Sequence, residues 1–383
     1  MAASVASTRE NEAAWRIVAI LSVVEAGAYV GNEAARYFWD LTAYVGALDS
    51  LNPYRFEAPY PFLYPPAARD LFLLARSHLF ELLSIAYVAA LWWLLRAFAQ
   101  LTMKRRFEWL LAITAMGGLG VTSLLSGNIA VLMNLTVLAL TLQAAMGKSM
   151  SLRLLPIAIG LGALIKPQFA IYLGLLPLLE RSRMAAVVKA LAVCVAVVCV
   201  HATYAVFRPN DWTEYVQAVV RRTTTGKDFG WGPAGFIMHF SDSTGAAFAA
   251  YVIGFLIVGA LAYVVWQKSV RTGRPVPRVA IVSLAFVVLT FANPRMPLYD
   301  LFAAAIALSV CCGLATRASS LAWVLVLALA INLVPWSIAN FTRVPSAYPW
   351  WVRDLQITHL LGIGSLLVAL SRVGIQPAVD LSE

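Results

Sequence analysis

The sequence predicts an all-α polytopic membrane protein, and two observations indicate that class. The 383-residue chain is 61% hydrophobic and only 13% charged, about half the charged share that soluble domains carry. Its mean hydropathy is +0.77, and several apolar stretches reach the roughly 20 residues that a helix needs to cross a bilayer. We therefore expect one integral membrane domain over residues 1–383, with a retained first span in place of a cleavable leader.

The predicted spanning helices follow the apolar stretches in chain order. The clearest stretches cover residues 15–30, 79–101, 185–207, 246–266 and 321–339. The first of them contains an acid, Glu25, at a depth where a charge is costly. Glu25 is either protonated and hydrogen-bonded inside the helix bundle or paired with a cation such as Lys166, and the sequence leaves both open.

The basic residues predict the orientation of these spans. Most of them lie in short connectors or near the chain end, namely Lys104, Arg105, Arg106, Lys148, Arg153, Arg181, Arg183, Lys268, Arg271, Arg274, Arg278, Arg317 and Arg372. By the positive-inside rule, these connectors and both termini face the cytoplasm, which gives about twelve membrane segments in an inner membrane. Three sizeable outer segments then remain, at 32–78, 208–245 and 341–355. The net charge of +10 is thus a topological signal, and the chain lacks the basic stripe with interleaved aromatics that binds nucleic acid.

Lys166 interrupts one apolar stretch and is followed at once by Pro167. The basic groups on either side of residues 154–180 both face the cytoplasm, so this stretch must leave the membrane surface and return to it. Two short half-spans that turn near Lys166 satisfy that requirement, and broken helices are tolerated where they line a cavity inside the protein. A lone cation in such a place predicts a buried anionic partner.

The first outer segment, 32–78, is predicted to carry the chemistry. Residues 33–48 have an apolar stripe near helical spacing, formed by Phe38, Leu41, Val45 and Leu48, which predicts an amphipathic helix in the membrane interface. Arg36, Asp40 and Tyr44 are spaced by four, so they share one face of that helix. The plainer interpretation is that Asp40 merely pairs with Arg36 on a solvated face. An extended aromatic run follows at 59–66.

Five short motifs occur in order along the first half of the chain. They are Trp39-Asp40-Leu41-Thr42-Ala43-Tyr44, Asn52-Pro53-Tyr54, Leu63-Tyr64-Pro65-Pro66, Ser126-Gly127-Asn128 and Ile165-Lys166-Pro167. Together they resemble glycosyltransferase family 87, membrane enzymes of the GT-C fold that are similar to polyprenol-phosphate-mannose-dependent mannosyltransferases. The resemblance implies an inverting transfer of a sugar, with mannose expected, from a polyprenyl-phosphate carrier to a lipid or glycan acceptor on the periplasmic face. It also implies that Asp40 is the catalytic base.

The resemblance, together with the chemistry of a phosphate leaving group, leads to an expected set of site residues. Lys166 and Arg295 are candidates to hold the donor phosphate, and the expected pocket consists of Arg36, Tyr44, Tyr64, Asn128, Tyr299 and Asp300. No cofactor and no metal are expected, and membrane lipids are the remaining partner. Related members carry histidines where this chain has Tyr299 and Asp300, which leaves the sugar and acceptor open. Arg295 alternatively is a cation that snorkels to the interface.

The outer segment 208–245 is expected to act as a lid. Residues 211–222 predict a short amphipathic helix, and residues 226–233 form a glycine-rich loop that contains Trp231. Aromatic faces pack against sugar rings, although aromatic belts occur at any membrane interface and Arg221, Arg222 and Lys227 alternatively meet anionic headgroups. Two other functional classes stay open. One is a secondary transporter or flippase that uses Lys166 and Glu25 as a relay, and the other is a lipid-binding scaffold without turnover.

Overall fold

The protein was analysed as a computed structural model, which describes chiefly residues 39–50, 52–55, 62–74, 126–224, 229–271, 276–315 and 348–375. Shorter described stretches lie at 16–17, 20–24, 81–82, 84–90, 119–120, 123, 321 and 323–327. Within this part of the chain 85% of the residues are helical and none lies in a strand, so the predicted all-α class is confirmed. The chain forms two compact units, each of which is described by itself.

One unit, called the Asp40 unit, comprises residues 36–98 and 123–228. Its helices are α1 (Trp39–Asp49), α2 (Pro66–Leu74), α3 (Ile129–Ala145), α4 (Ser149–Ile165), α5 (Leu176–Leu179), α6 (Arg183–Phe207) and α7 (Pro209–Thr224), with 3-10 helices at Pro53–Arg55 and Pro167–Leu175. Helices α3 and α4 pack side by side, and α6 packs against α4. The interior is closed by apolar side chains such as Leu135, Leu138 and Leu155, which are fully buried.

The second unit, called the Arg295 unit, comprises residues 1–35, 99–122 and 229–383. Its described helices are α8 (Pro233–Met238), α9 (Thr244–Arg271), α10 (Arg278–Phe291), α11 (Leu298–Gly313) and α12 (Tyr348–Val373). Helix α11 lies at the centre of its packing, because nearly every side chain from Leu301 to Cys312 is buried. Helix α9 packs against α8, α10 and α12.

Helices α6 and α9 are long and apolar enough to cross a membrane. In an apolar stretch of 18 residues within each helix, only 11% is buried inside the protein for α6 and 17% for α9. Large apolar side chains such as Leu191, Val198 and Phe207 are therefore exposed along α6. The apolar helix of a soluble core would be covered by protein, so this exposure indicates a lipid-facing surface. These two helices coincide with the spans predicted at 185–207 and 246–266.

The remaining predicted spans have a mixed outcome. Shorter apolar helices of 10–17 residues occur at Ile129–Ala145, Ser149–Ile165, Pro167–Leu179, Arg278–Phe291, Leu298–Gly313 and His359–Val373. Most of the stretches at 15–30, 79–101 and 321–339 lies outside the described residues, as do Glu25 and Arg36. The total of twelve membrane segments therefore stays a prediction.

The helix break predicted at Lys166 is present. Helix α4 ends at Ile165, Lys166 has extended backbone angles, and Pro167 begins a 3-10 helix. A residue before proline is disfavoured in the helical region, and proline suits the first position of a new helical segment. The chain then packs back on α4, where a Cβ atom on Gly162 would lie 3.0 Å from the Phe169 ring. Glycine at position 162 thus permits the close approach that follows the break.

The described residues of the first outer segment, at 39–50, 52–55 and 62–74, belong to the Asp40 unit. Helix α1 buries Tyr44, Ala47 and Leu48 against the rings of Tyr54, Phe62, Tyr64 and Phe72. Residues 33–38 and the side chain of Leu41 lie outside the described part, so the full apolar stripe stays a prediction. Residues 62–65 are non-helical, as expected for the aromatic run, and α2 begins with proline at its first position.

Candidate functional site

Asp40 is buried at the start of α1, with 7% of its surface exposed. Its backbone N–H donates to the carbonyl oxygen of Ser126, at 3.0 Å. The interpretation that places Asp40 on a solvated face is therefore wrong, because the loop before α3 covers this carboxyl group. Arg36, the partner in that interpretation, lies outside the described residues.

The Ser126-Gly127-Asn128 turn brings an amide to the carboxylate of Asp40. Gly127 has a φ of +67°, a left-handed conformation that glycine adopts without steric cost. This turn lets Asn128 cap α3, with its Oδ1 accepting from the backbone N–H of Ala130 at 2.9 Å. The Asn128 Nδ2 then donates to Oδ2 of Asp40 at 3.0 Å and to the Tyr44 hydroxyl oxygen at 2.7 Å.

Lys166 reaches the same amide from the break after α4. Its Nζ donates to Oδ1 of Asn128 at 3.3 Å and lies 5.3 Å from the centroid of the Tyr64 ring. The Tyr64 hydroxyl donates to the Tyr44 hydroxyl at 2.5 Å. Asp40, Tyr44, Tyr64, Asn128 and Lys166 thus form one connected group, here called the Asp40 cluster. All five belong to the residue set that the sequence predicted.

Burial changes the protonation equilibrium of the Asp40 carboxyl group. Loss of solvation raises the pKa of Asp40 above its ordinary value, and this effect exceeds two opposing ones. The hydrogen bond from Asn128 and the positive charge of Lys166 both lower the pKa, because each stabilises the ionised form. When it is ionised, a carboxylate with a raised pKa accepts a proton more readily than an exposed one does.

Aromatic rings enclose the Asp40 cluster on the side of α2. Tyr44 and Tyr64 meet edge to face with centroids 5.0 Å apart, and Phe72 lies 5.5 Å from Tyr64. Phe62 packs against the same rings and is almost fully buried. Apolar rings around a charged group exclude water, and the charge interactions inside are stronger than they would be in water.

The sequence analysis missed an ionic network that fixes α7 to the first outer segment. Arg69 contacts Asp211 at 2.6 Å, Arg208 contacts Asp70 at 2.7 Å, and Arg55 contacts Glu214 at 3.1 Å. These pairs hold α7 against α2 and the 3-10 helix at Pro53–Arg55, which carries the buried ring of Tyr54. The adjacent charges of Arg69 and Asp70 within an aromatic-rich segment were the available signal.

The segment 208–245, which was predicted to act as a lid, is divided between the two units. Helix α7 belongs to the Asp40 unit, and residues 225–228, which include Lys227, lie outside the described part. Gly230 and Trp231 belong to the Arg295 unit, where Trp231 N–H donates to the carbonyl of Met296 at 2.6 Å. A Cβ atom on Gly230 would lie 2.5 Å from that same oxygen, so only glycine fits there. The glycine-rich loop is in this way paired with the turn that carries Arg295.

The other predicted site residues, Arg295, Tyr299 and Asp300, lie in the Arg295 unit. Asp300 is buried and accepts from Nδ2 of Asn293 at 3.0 Å, while Asn293 Oδ1 accepts from the backbone N–H of Arg295 at 3.2 Å. Asn293 therefore holds the turn and an acid in the manner of Asn128. The side chains of Arg295 and Tyr299 are partly exposed. Across the described residues, no group of three or more His, Cys, Asp or Glu side chains is arranged for a metal ion.

The comparisons with known proteins give one finding. The family model of glycosyltransferase family 87 matches residues 62–294, which is more than half of the chain. The match includes Tyr64, Asn128 and Lys166, and it begins after Asp40. No curated protein and no solved structure matches the chain. The extent of the family match, together with the exposed apolar helices of a membrane protein, shows that this chain belongs to glycosyltransferase family 87, which is consistent with the GT-C superfamily.

Proposed function

We propose that the protein is an inverting hexosyltransferase that uses a polyprenyl-phosphate sugar as donor. The observation that carries the proposal is the Asp40 cluster, in which one amide connects a buried carboxylate to an ammonium group. A glycosyl transfer from a phosphate carrier needs these two groups, a base for the acceptor and a cation for the leaving group. The expected sugar is mannose, by resemblance to the mannosyltransferases.

Asp40 acts as the general base in this scheme. Its carboxylate takes the proton from the acceptor hydroxyl while that oxygen attacks the anomeric carbon, and the bond to the phosphate oxygen breaks. Attack opposite the phosphate inverts the anomeric configuration. The burial that raises the pKa of Asp40 favours this step, because the ionised carboxylate gains more from accepting the proton.

Lys166 is proposed to hold the donor phosphate. The leaving group is a lipid phosphate monoester, and its growing negative charge is stabilised by a cation fixed in a site that excludes water. Lys166 is held by Asn128 and the face of Tyr64, so its ammonium group is positioned before the substrate binds. Within the Asp40 unit, Arg36, Tyr44 and Tyr64 are proposed to line the substrate pocket. For Arg295, Tyr299 and Asp300 of the Arg295 unit, the roles expected from the sequence, a phosphate contact and two substrate contacts, stay predictions.

A lipid-linked donor follows from the proposed orientation. We place the Asp40 unit's cluster on the periplasmic side of the inner membrane and both termini in the cytoplasm, as the basic connectors predict. Nucleotide sugars are cytoplasmic, so an enzyme that acts outside needs a sugar carried across on a lipid. The acceptor is a lipid or glycan at the same face, and the reaction requires no cofactor.

The deciding experiment compares Asp40→Asn with Asp49→Asn. Both residues belong to α1, but Asp49 is exposed at its far end. Purified protein is given radiolabelled polyprenyl-phosphate mannose, with total membrane lipid and an alkyl mannoside offered as acceptors. We expect Asp40→Asn to lose about 10²- to 10⁴-fold in transfer rate, the range for a general base, and Asp49→Asn to keep the wild-type rate. A folded Asp40→Asn protein with full activity would refute the assignment, and solute flux in proteoliposomes without transfer would favour a transporter.

A further inference from the structure

The amide of Asn128 uses its entire hydrogen-bonding capacity inside the protein. A side-chain amide offers two N–H donors and two acceptor positions on its oxygen. Asn128 donates to Asp40 and Tyr44, and it accepts from Ala130 and Lys166, which makes four hydrogen bonds in all. The residue is also 2% exposed. These four bonds leave the amide no further hydrogen bond to offer a substrate, whereas the sequence analysis expected Asn128 among the residues of the substrate pocket.

The orientation of this amide follows from its partners. The backbone N–H of Ala130 and the ammonium group of Lys166 are donors only, so the group that faces them has to be the carbonyl oxygen. An ionised carboxylate accepts only, so the NH₂ group has to face Asp40. The N-cap of α3 therefore sets which end of the amide points at the base and which points at the cation.

The backbone of the turn at residues 126–128 also holds Asp40 in place. Asp40 N–H donates to Ser126 O, and Ser126 Oγ both accepts from the backbone N–H of Asn128 and donates to the carbonyl of Ser123. Carboxylate and amide are consequently positioned by one turn. A shift of that turn moves the base together with the group that lowers its pKa.

We propose that Asn128 is a positioning residue, which holds Asp40 as base and Lys166 as phosphate contact in one fixed geometry without touching the substrate. This inference rests on the proposed function of Asp40 and Lys166. Among the described residues, the amide of Asn128 donates to the Asp40 carboxylate and the charge of Lys166 acts on it from the break after α4. The Tyr44 phenol accepts from the same amide and from Tyr64. Of these, Asn128 is the one that contacts Asp40, Tyr44 and Lys166 at once.

The test is Asn128→Asp, with Asn134→Asp as its control. Aspartate still caps α3 and still accepts from Lys166, but it replaces the donor toward Asp40 by a second carboxylate. Asn134 is buried on the same helix and accepts from the Tyr172 hydroxyl at 2.9 Å, so Asn134→Asp also introduces a buried acid. Transfer from radiolabelled polyprenyl-phosphate mannose is measured across pH for both variants, and melting temperature is measured alongside.

The expected result is a changed pH profile in one variant only. Two adjacent carboxylates cannot both ionise freely, so Asn128→Asp should lose at least about tenfold more activity between pH 8 and pH 6 than wild type does. Asn134→Asp should keep the wild-type profile even if its melting temperature falls. An Asn128→Asp enzyme with the wild-type profile, whatever its rate, would overturn the proposal.

A second readout covers the case in which Asn128→Asp has no activity. Its melting temperature should then fall as pH rises, whereas the double variant Asp40→Asn with Asn128→Asp, which again pairs one amide with one carboxylate, should lack that fall. A pH-independent melting temperature in the single variant would overturn the proposal. The proposed function is tested separately, by transfer in the wild-type protein and its loss in Asp40→Asn. If that test succeeds and the Asn128→Asp test fails, only the inference about Asn128 is overturned.

Discussion

At the scale of single residues, the proposed chemistry depends on the protonation of Asp40, whose pKa burial raises and two favourable contacts lower. Burial disfavours the charged form, and Asn128 and Lys166 partly offset it. The site thus keeps an acid that is costly to ionise beside a cation that makes ionisation possible. Groups of this kind are common at active sites, because a base needs both a raised pKa and a charged state that is reachable.

The first consequence is a defined pH dependence of transfer. Activity should fall as pH decreases through the raised pKa of Asp40, at a higher pH than an exposed aspartate, whose ordinary pKa is about 3.9, would give. Lys166→Met should move this fall to still higher pH, because the positive charge that lowers the pKa is removed. The rate constant kcat/KM for the acceptor, measured from pH 5 to pH 9, tests both statements. An unchanged profile in Lys166→Met would contradict the electrostatic role.

The second consequence concerns stability. A folded-state pKa above the unfolded value means that the stability contributed by the protonated carboxyl is present at low pH and is lost as pH rises through the raised pKa. Asp40→Asn removes this penalty while its side-chain oxygen still accepts from Asn128. The variant should therefore melt at a higher temperature than wild type at neutral pH, with a difference that shrinks toward pH 4. Melting curves of the purified protein check it, and a difference that grows on acidification would contradict it.

At the scale of elements, the start of α3 links backbone conformation to the site. Local patterns predicted several elements correctly, such as the break at Lys166-Pro167, because a proline and the residue before it restrict the chain directly. The contact of Asp40 with Asn128 joins residues 88 apart in sequence, and no local pattern contains it. The docking of α7 through Arg69 and Asp211 was missed for the same reason.

Glycine at the two ends of α3 offers a matched pair of substitutions. Gly127 has a φ of +67° before the helix, and Gly147 has a φ of +87° after it, with open space around its Cβ position. Alanine at either position should cost about 1–2 kcal/mol of stability, the penalty for a left-handed residue. Only Gly127→Ala should also reduce transfer, since its turn carries Asn128. Chemical denaturation and the transfer assay measure the pair, and equal activities in the two variants would contradict the link.

At the scale of the whole molecule, exposed apolar helices and basic connectors predict an orientation that labelling can test. A cysteine in place of the exposed Asp49 should react with an impermeant maleimide applied to spheroplasts from outside. A cysteine in place of the exposed Arg181 should react only after the membrane is opened. The parent protein, whose four cysteines lie in apolar helices, is the control. Labelling with the opposite pattern would reverse the proposed topology.

The close junction of α6 with α7 links the packing of the Asp40 unit to the tilt of a helix that is long and apolar enough to cross a membrane. Helix α6 has 25 residues and is about 37 Å long, whereas a typical hydrocarbon core is about 30 Å thick. The stretch of α6 that follows Lys189, residues 190–207, is about 27 Å long and matches such a core, so a bilayer of another thickness should change the tilt of α6. A single residue, Arg208, separates α6 from α7. Because Arg208 is paired with Asp70 on α2, a tilt of α6 acts on the same ionic network that docks α7. We therefore expect the packing around the aromatic rings of the first outer segment to depend on the acyl-chain length of the surrounding lipids, which transfer assays in bilayers of different thickness can measure.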